Sequence, residues 1–349
     1  NPIGFVLNAS ALPDRFMVNN GSGFTDQTEA AGLAAPTSCN AVASGDFDND
    51  RDLDLYVLCT RPAANMPNMV YENIGGGVFQ PVVGSGADGS TLGRGEAVAT
   101  ADYDGDGFLD LFITNGLFNE PFNEGPQQLY RNLGNSNHWL GVDLRGNSSN
   151  RDGIGARVYV TSGGVTQLRE QGGGTHRHVQ DDRTLHFGLG QDTLVNRVEI
   201  FWPSGITQLV RKVSADQVLV VEEPTIELSV SDAVFDERSG TVSFAFNLSE
   251  PATGKIVIRY RTASGSATSG EDFLPAFGKL VINRGETSGV IDLDIIDDAL
   301  DEADETFQVI IKSATNVLIV DDRADVTVTR SPIWFEEATQ AVGLGGFSG

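Results

Sequence analysis

The 349-residue sequence predicts an all-β protein, and three observations carry that prediction. Short apolar runs alternate with turns rich in Gly, which supplies 41 residues; that spacing belongs to antiparallel β structure. No segment sustains the 3.6-residue apolar period of a long amphipathic helix. A unit of about 55 residues recurs in the first part of the chain. A period of that length suits one small antiparallel sheet per repeat, as in propeller blades.

The repeat opens with "RFMVNNGSG" (15–23) and "GFTDQTEAAGL" (23–33), then reaches "AVASGDFDNDRDLDLYVL" (41–58). It recurs as "MVYENIGGG" (69–77), "GVFQPVVGSGA" (77–87) and "AVATADYDGDGFLDLFIT" (97–114), and starts a third time at "QLYRNLGNSN" (128–137). Each unit reads as strand, turn, strand, acidic loop, strand. From 138 the pattern becomes a series of β-type runs, among them "HWLGVDLRG", "IGARVYVTSG", "RTLHFGLG" and "VNRVEIFWPSG", separated by Gly, Asn and Ser as in a sandwich. "VEEPTIEL" (221–228) reads as a domain join, with a Pro that restricts the residue before it. Beyond it, "TVSFAFNLS", "GKIVIRYRT", "SGVIDLDIID" and "ETFQVIIKSA" alternate apolar and polar residues with period two. The tail "FEEATQAVGL" (335–344) repeats the order of "FTDQTEAAGL" (24–33). The expected domains are therefore 1–137, 138–223 and 224–330, with 331–349 as the start of a further repeat or a strand-exchange tail.

Charge narrows the function. Lys and Arg number 23 against 48 Asp and Glu, a net charge of −25. Nucleic acid and anionic lipid would be repelled, whereas cations would be attracted. No apolar run reaches the ~20 residues of a membrane helix. The chain does not begin with Met, so a processed or partial chain is expected. Cys39 and Cys59 flank the first acidic loop; a disulfide across a hairpin is one reading, two buried thiols the other. Asn8, Asn20, Asn147 and Asn247 begin glycosylation triplets. These features together favour an extracellular protein.

The acidic loops carry the chemistry. "DFDNDRDLD" from Asp46 has five acids in nine residues and "DYDGDGFLD" from Asp102 has four. Asp46, Asp48, Asp50 and Asp54 hold positions 1, 3, 5 and 9 of the first loop, and Asp102, Asp104, Asp106 and Asp110 hold them in the second. Alternate side chains in a tight loop converge. With the carbonyl at position 7, Asp52 or Phe108, they make an oxygen cage suited to Ca²⁺. Mg²⁺ keeps its waters and demands stricter geometry, and zinc favours His or Cys. Gly107 permits the sharp bend after the third Asp. Arg51 replaces it in the first loop, which straining or charging the cage would weaken. The alternative is a pair of solvated acidic turns. His176 and His178 could share a strand face and bind a transition metal with His186 or Asp181, or form a polar turn.

"GDFDNDRDLDLYV" and "ADYDGDGFLDLFI" resemble FG-GAP (VCBS-type) repeats, the blades of integrin-like propellers. The resemblance implies loops that bind Ca²⁺ and tie blade strands together. "NHWLGVDLRGNSSNRDGIGARV", "LHFGLG" and "VEIFWPSG" resemble the ASPIC and UnbV domain, which implies no reaction. "FDERSGTVSF", "SGEDFLP" and "IIDDALDEADETF" resemble a Calx-beta domain. That resemblance implies Ca²⁺ ligands at Glu237, Asp272, Asp297, Asp298, Glu302 and Glu305, a solvated acidic loop being the alternative.

These readings point to a non-enzymatic, calcium-binding structural or adhesion protein, secreted or on the cell surface. Its expected partners are other copies of itself, matrix or surface proteins, or glycans, without nucleic acid or membrane insertion. The recurring tail suggests head-to-tail assembly into a filament. A lectin using Trp139, Trp202 or Trp334 as a platform is the alternative. A calcium-dependent enzyme ranks third, because no catalytic constellation stands out.

Overall fold

The computed structural model describes residues 3–6, 15–33, 39–59, 67–89, 95–115, 125–172, 179–297 and 303–329. Trp334, His176, His178 and the whole 331–349 tail lie outside the described residues. Among those described, the structure is β throughout, with one 3-10 turn at Glu237–Ser239. It divides into two compact units, residues 1–225 and 226–349. No helix among the described residues is long and apolar enough to cross a membrane.

The first unit opens with three small antiparallel sheets. The first orders β1 (Ile3–Val6), β2 (Arg15–Asn19) and β3 (Phe24–Asp26) as β1-β2-β3. The second runs β4 (Cys39–Gly45), β5 (Asp54–Cys59), β6 (Met69–Asn73) and β7 (Phe79–Pro81) in chain order. The third holds β8 (Gly95–Ala101), β9 (Asp110–Asn115) and β10 (Gln128–Tyr130) in the order β10-β9-β8. Each acidic loop is therefore the first hairpin connection of its blade, β4 to β5 and β8 to β9. The unbroken apolar run of β5 follows from its place in the stack, since every residue in it is buried. Leu55, Val57 and Cys59 pack with Phe16, Tyr71 and Phe79 on one side. Tyr56 and Leu58 pack with Val98, Leu111 and Ile113 on the other. A strand covered on both faces needs no polar alternation. Cys39 and Cys59 are register partners across β4 and β5, and they form the disulfide.

The rest of this unit is two facing sheets, the sandwich expected from residue 138 onward. One orders β14 (Leu185–Gly190), β11 (His138–Arg145) and β17 (Gln217–Glu222) as β14-β11-β17. The other orders β13 (Val165–Glu170), β12 (Arg157–Ser162), β15 (Leu194–Phe201) and β16 (Thr207–Ser214) as β13-β12-β15-β16. Leu140, Val142, Val158, Phe187, Val198 and Trp202 are all buried. The Glu223 carboxylate closes the end of this sandwich. It accepts from the amides of Asn147 and Ser149 and from the hydroxyls of Ser149 and Ser204. Burial alone would raise this carboxyl, but those donors hold it below its ordinary range.

The second unit is a separate sandwich. One sheet orders β18 (Glu227–Val230), β20 (Thr241–Leu248), β23 (Ser288–Asp294) and β25 (Leu318–Ile319) as β23-β20-β18-β25. The other orders β19 (Ala233–Asp236), β21 (Ile256–Ser264), β22 (Phe277–Ile282), β24 (Glu305–Ala314) and β26 (Arg323–Thr329) as β19-β26-β24-β21-β22. In β20, Phe244, Phe246 and Leu248 point inward while Ser243, Ala245 and Asn247 face water. Period two and one covered face agree, as the alternation requires.

Candidate metal centre

In the first loop Asp46, Asp48 and Asp50 each accept from a backbone amide further along, which curls the chain around its own side chains. The amide of Asp50 donates to Asp48 (3.1 Å), that of Asp52 to Asp50 (3.0 Å), and that of Arg51 to Asp46 (3.0 Å). Asn49 and Arg51 complete the turn in the left-handed region, at φ 60° and 93°. One ligand oxygen from each of Asp46, Asp48 and Asp50 then lies within 4.8 Å of the others. Asp46 is only 1% exposed, and its Oδ1 has no hydrogen-bond partner. Burial pushes its carboxyl up to about 7 against the pull of the Arg169 guanidinium, with Asp50 and Asp48 adding to the rise. Burial and the neighbouring Asp50 likewise raise Asp52 to about 6, and Asp52 Oδ1 is also buried without a partner. A buried, unpartnered carboxylate oxygen beside two convergent carboxylates calls for a cation. An all-oxygen donor set suits Ca²⁺.

The second loop repeats the geometry. Asp102 accepts from the amides of Gly105 and Gly107 (both 2.9 Å), and Asp106 accepts from that of Phe108 (3.0 Å). Asp102, Asp104 and Asp106 form the other three-carboxylate group among the described residues. Here Gly107 takes φ 88°, where Arg51 sits in the first loop.

The ninth residue of each loop has a different place. Asp54 accepts from the amides of Phe47 (3.0 Å) and Asn73 (2.9 Å), and Asp110 accepts from those of Tyr103 (3.0 Å) and Asn132 (2.7 Å). Each ties its loop to the next hairpin and stands outside the three-carboxylate group. Burial pushes the Asp54 carboxyl up to about 8 despite those amides. Asn73 and Asn132 return the contact through their side chains, to the carbonyls of Leu53 and Leu109 (both 3.2 Å). Sequence reasoning missed both, although the repeated Tyr-x-Asn of "YEN" and "YRN" was the signal.

The first loop also belongs to the sandwich. The Gly188 amide donates to Asp46 Oδ2 (3.1 Å), and the Gly190 amide to the Asn49 carbonyl (2.8 Å). His186 Nε2 meets Asn49 Oδ1 at 2.7 Å, with burial holding the imidazole down at about 3 and therefore neutral, so Nε2 is the donor. Arg51 turns outward. Its guanidinium donates to the Leu189 carbonyl (2.6 and 2.9 Å) and pairs with Asp192. Its charge thus serves the seam, while its backbone takes the strained φ of 93° expected of a residue standing where the second loop has Gly107. Asn49 Nδ2 donates to the Gly107 carbonyl (2.9 Å), so the two loops touch.

Other expected residues fall elsewhere. Asp181 accepts from the Thr100 amide (2.8 Å) and His186 is engaged by Asn49, while His176 and His178 lie outside the described residues. In the second unit, Asp272 accepts from the Thr268 amide (2.6 Å) and Asp297 is exposed. Glu237, Asp272, Asp297 and Glu305 form no three-carboxylate group among the described residues, and Asp298 and Glu302 lie outside them. Trp202 is a core residue whose indole donates to Gln208 (2.8 Å), so it offers no free platform, and Trp139 is half-buried and stacks on His186.

Comparison with known families fits this layout. The FG-GAP repeat matches residues 94–130, ASPIC and UnbV residues 146–228, and the Calx-beta domain residues 221–331. The chain joins these three domain types. It is homologous to cartilage acidic protein 1, at 31% identity over 199 residues to the Mus musculus protein and 30% over 210 residues to the Homo sapiens one. The matched stretch covers 55% and 57% of this chain but only 29% and 30% of those proteins. Human FRAS1-related extracellular matrix protein 2 is 33% identical over 86 residues, 24% of this chain and 3% of that one. Among solved structures, the apo-form Calx CBD1 domain is 22% identical with a TM-score of 0.29, covering 31% of this chain and 99% of that one. The calcium binding domain CBD12 of CALX1.1 is 22% identical with a TM-score of 0.28, covering 30% of this chain and 44% of that one.

Proposed function

We propose that this chain is a non-enzymatic extracellular scaffold hardened by Ca²⁺, in which the ion at the first FG-GAP loop fastens the blades to the ASPIC and UnbV sandwich. One observation carries this reading: Asp46 offers a buried, unpartnered oxygen to the cage while its other oxygen accepts the sandwich amide of Gly188. Without an ion, three carboxylates crowd a site that burial already disfavours. With Ca²⁺ their charge is balanced, and binding energy becomes folding energy for the whole seam. Asp46, Asp48 and Asp50 would hold one ion, and Asp102, Asp104 and Asp106 another. The disulfide and the extracellular-matrix naming of one relative support secretion. A scaffold is favoured over a catalyst because His186 is engaged by Asn49 and Glu223 by four donors in structural bonds. By this reading its partners are matrix or surface proteins, glycans, or further copies of itself. The head-to-tail filament depended on 331–349 and finds no support among the described residues.

Scanning calorimetry in millimolar Ca²⁺ and in EGTA tests the proposal. The first unit should melt higher with Ca²⁺, and Asp48→Asn/Asp50→Asn should remove most of the difference. Identical melting in both conditions, with no heat of Ca²⁺ binding, would sink the idea.

A further inference from the structure

The two loops share a backbone plan but not a charge environment. In the first blade the Tyr-x-Asn that supports the loop reads Tyr71-Glu72-Asn73; in the second it reads Tyr130-Arg131-Asn132. Asn73 and Asn132 make the same amide bond to the ninth Asp, which fixes the equivalence of the middle residues. Arg131 Nε lies 2.5 Å from Asp104 Oδ2, and its Nη2 lies 3.2 Å from Asp106 Oδ2. A guanidinium thus bridges two of the three carboxylates that would hold the ion. Glu72 stands on the same groove as Asp48 and Arg131 and places a negative charge beside the first cage. The difference is a full charge reversal at one repeat position.

We propose that this position sets the order in which the loops take calcium, and that Arg131 is an internal cation which calcium must displace from the second loop. The inference rests on the calcium reading of both loops. The ion and the guanidinium cannot share Asp104 and Asp106, because each carboxylate oxygen that turns to the ion leaves the fork of Arg131. Calcium therefore enters the first loop, where Glu72 adds attraction at Asp48 and the Arg169 guanidinium near Asp46 spans no pair of cage carboxylates, at lower concentration than the second. This reverses the ranking that Arg51 suggested from sequence.

Calorimetric titration of the full chain with CaCl₂ tests it. Asp104→Asn/Asp106→Asn identifies the binding step that belongs to the second loop. Arg131→Gln should tighten that step by about fivefold, the scale of an exposed ion pair, and Arg131→Glu by more. Glu72→Arg should weaken the first-loop step by a similar factor. A purely structural Arg131 would lower the melting temperature of the calcium-free variant without tightening calcium. If the second-loop step is present and Arg131→Gln leaves it unchanged or weaker, the proposal is overturned while the calcium reading stands. If no step responds to Asp104→Asn/Asp106→Asn or to Asp48→Asn/Asp50→Asn, both fall.

Discussion

At the scale of single residues, Gly188 matters most among those with no ligand atom of their own. A Cβ there would stand 2.2 Å from Asp46 Oδ2 and 2.5 Å from the Asn49 Cα, so only Gly lets β14 approach the loop. Gly188→Ala should destabilise the first unit by about 1–3 kcal/mol in urea unfolding and weaken calcium binding at the first loop. Gly23→Ala, with nothing within 4 Å of the added carbon, is the neutral control. Arg51 combines a strained backbone with a useful side chain. Arg51→Ala keeps the φ of 93°, removes the guanidinium from Asp192 and leaves the Leu189 carbonyl with the Asp192 amide (3.1 Å) alone. It should cost about 2 kcal/mol in the same measurement, and Arg51→Gly should recover about 1 of that by relieving the strain. Among the glycosylation triplets, Asn147 is occupied, since its side-chain amide donates to the Glu223 carbonyl (2.6 Å).

At the scale of elements, each acidic loop is held at its base. In the first blade the β4–β5 hairpin is also closed by the Cys39–Cys59 disulfide, a sequence separation of 20. Cys39→Ser/Cys59→Ser should lower stability by about 3 kcal/mol, read from denaturant unfolding, because a loop of that length gains freedom in the unfolded chain. The loop also carries a pH signature. Asp46 and Asp54 hold protons in the calcium-free fold up to about 7 and about 8, against an ordinary value of 3.8. The folded state therefore binds more protons than the unfolded state between those limits. Its stability is greatest at the acid end and falls as pH rises from about 4 to about 8. Calorimetric melting in EGTA should show that fall. Saturating Ca²⁺ should flatten the part that belongs to Asp46, because the ion favours its ionised carboxylate, and leave the part from Asp54, which stands outside the cage. A melting temperature that rises with pH in EGTA would contradict the burial of these groups.

At the scale of the whole molecule, the first unit is one compact body because the blades and the sandwich share the first loop. The amides of Gly188 and Gly190 are the reporters, since both donate into it. Chelation should speed their hydrogen exchange by at least about tenfold, the effect expected when a seam opens locally without global unfolding. Exchange in the core of β20 should not change, because Phe244 and Phe246 belong to a separate hydrophobic cluster.

The sequence by itself determined the all-β class, the blade repeat, the period-two strands and the two acidic loops, expecting four convergent carboxylates in each where the structure gathers three. It left the disulfide as one of two readings. Such features are local: side-chain alternation follows from strand geometry, and Asp-rich turns fold around their own amides. Only the tertiary structure decided which distant groups complete each loop. Gly188 meets Asp46 across 142 positions, and Arg51 meets Asp192 across 141. Arg131 reaches Asp106 across 25 and decides the charge of the second cage. No spacing rule selects such partners, because they meet only when separate sheets pack, and a buried oxygen takes whichever donor that packing brings within reach.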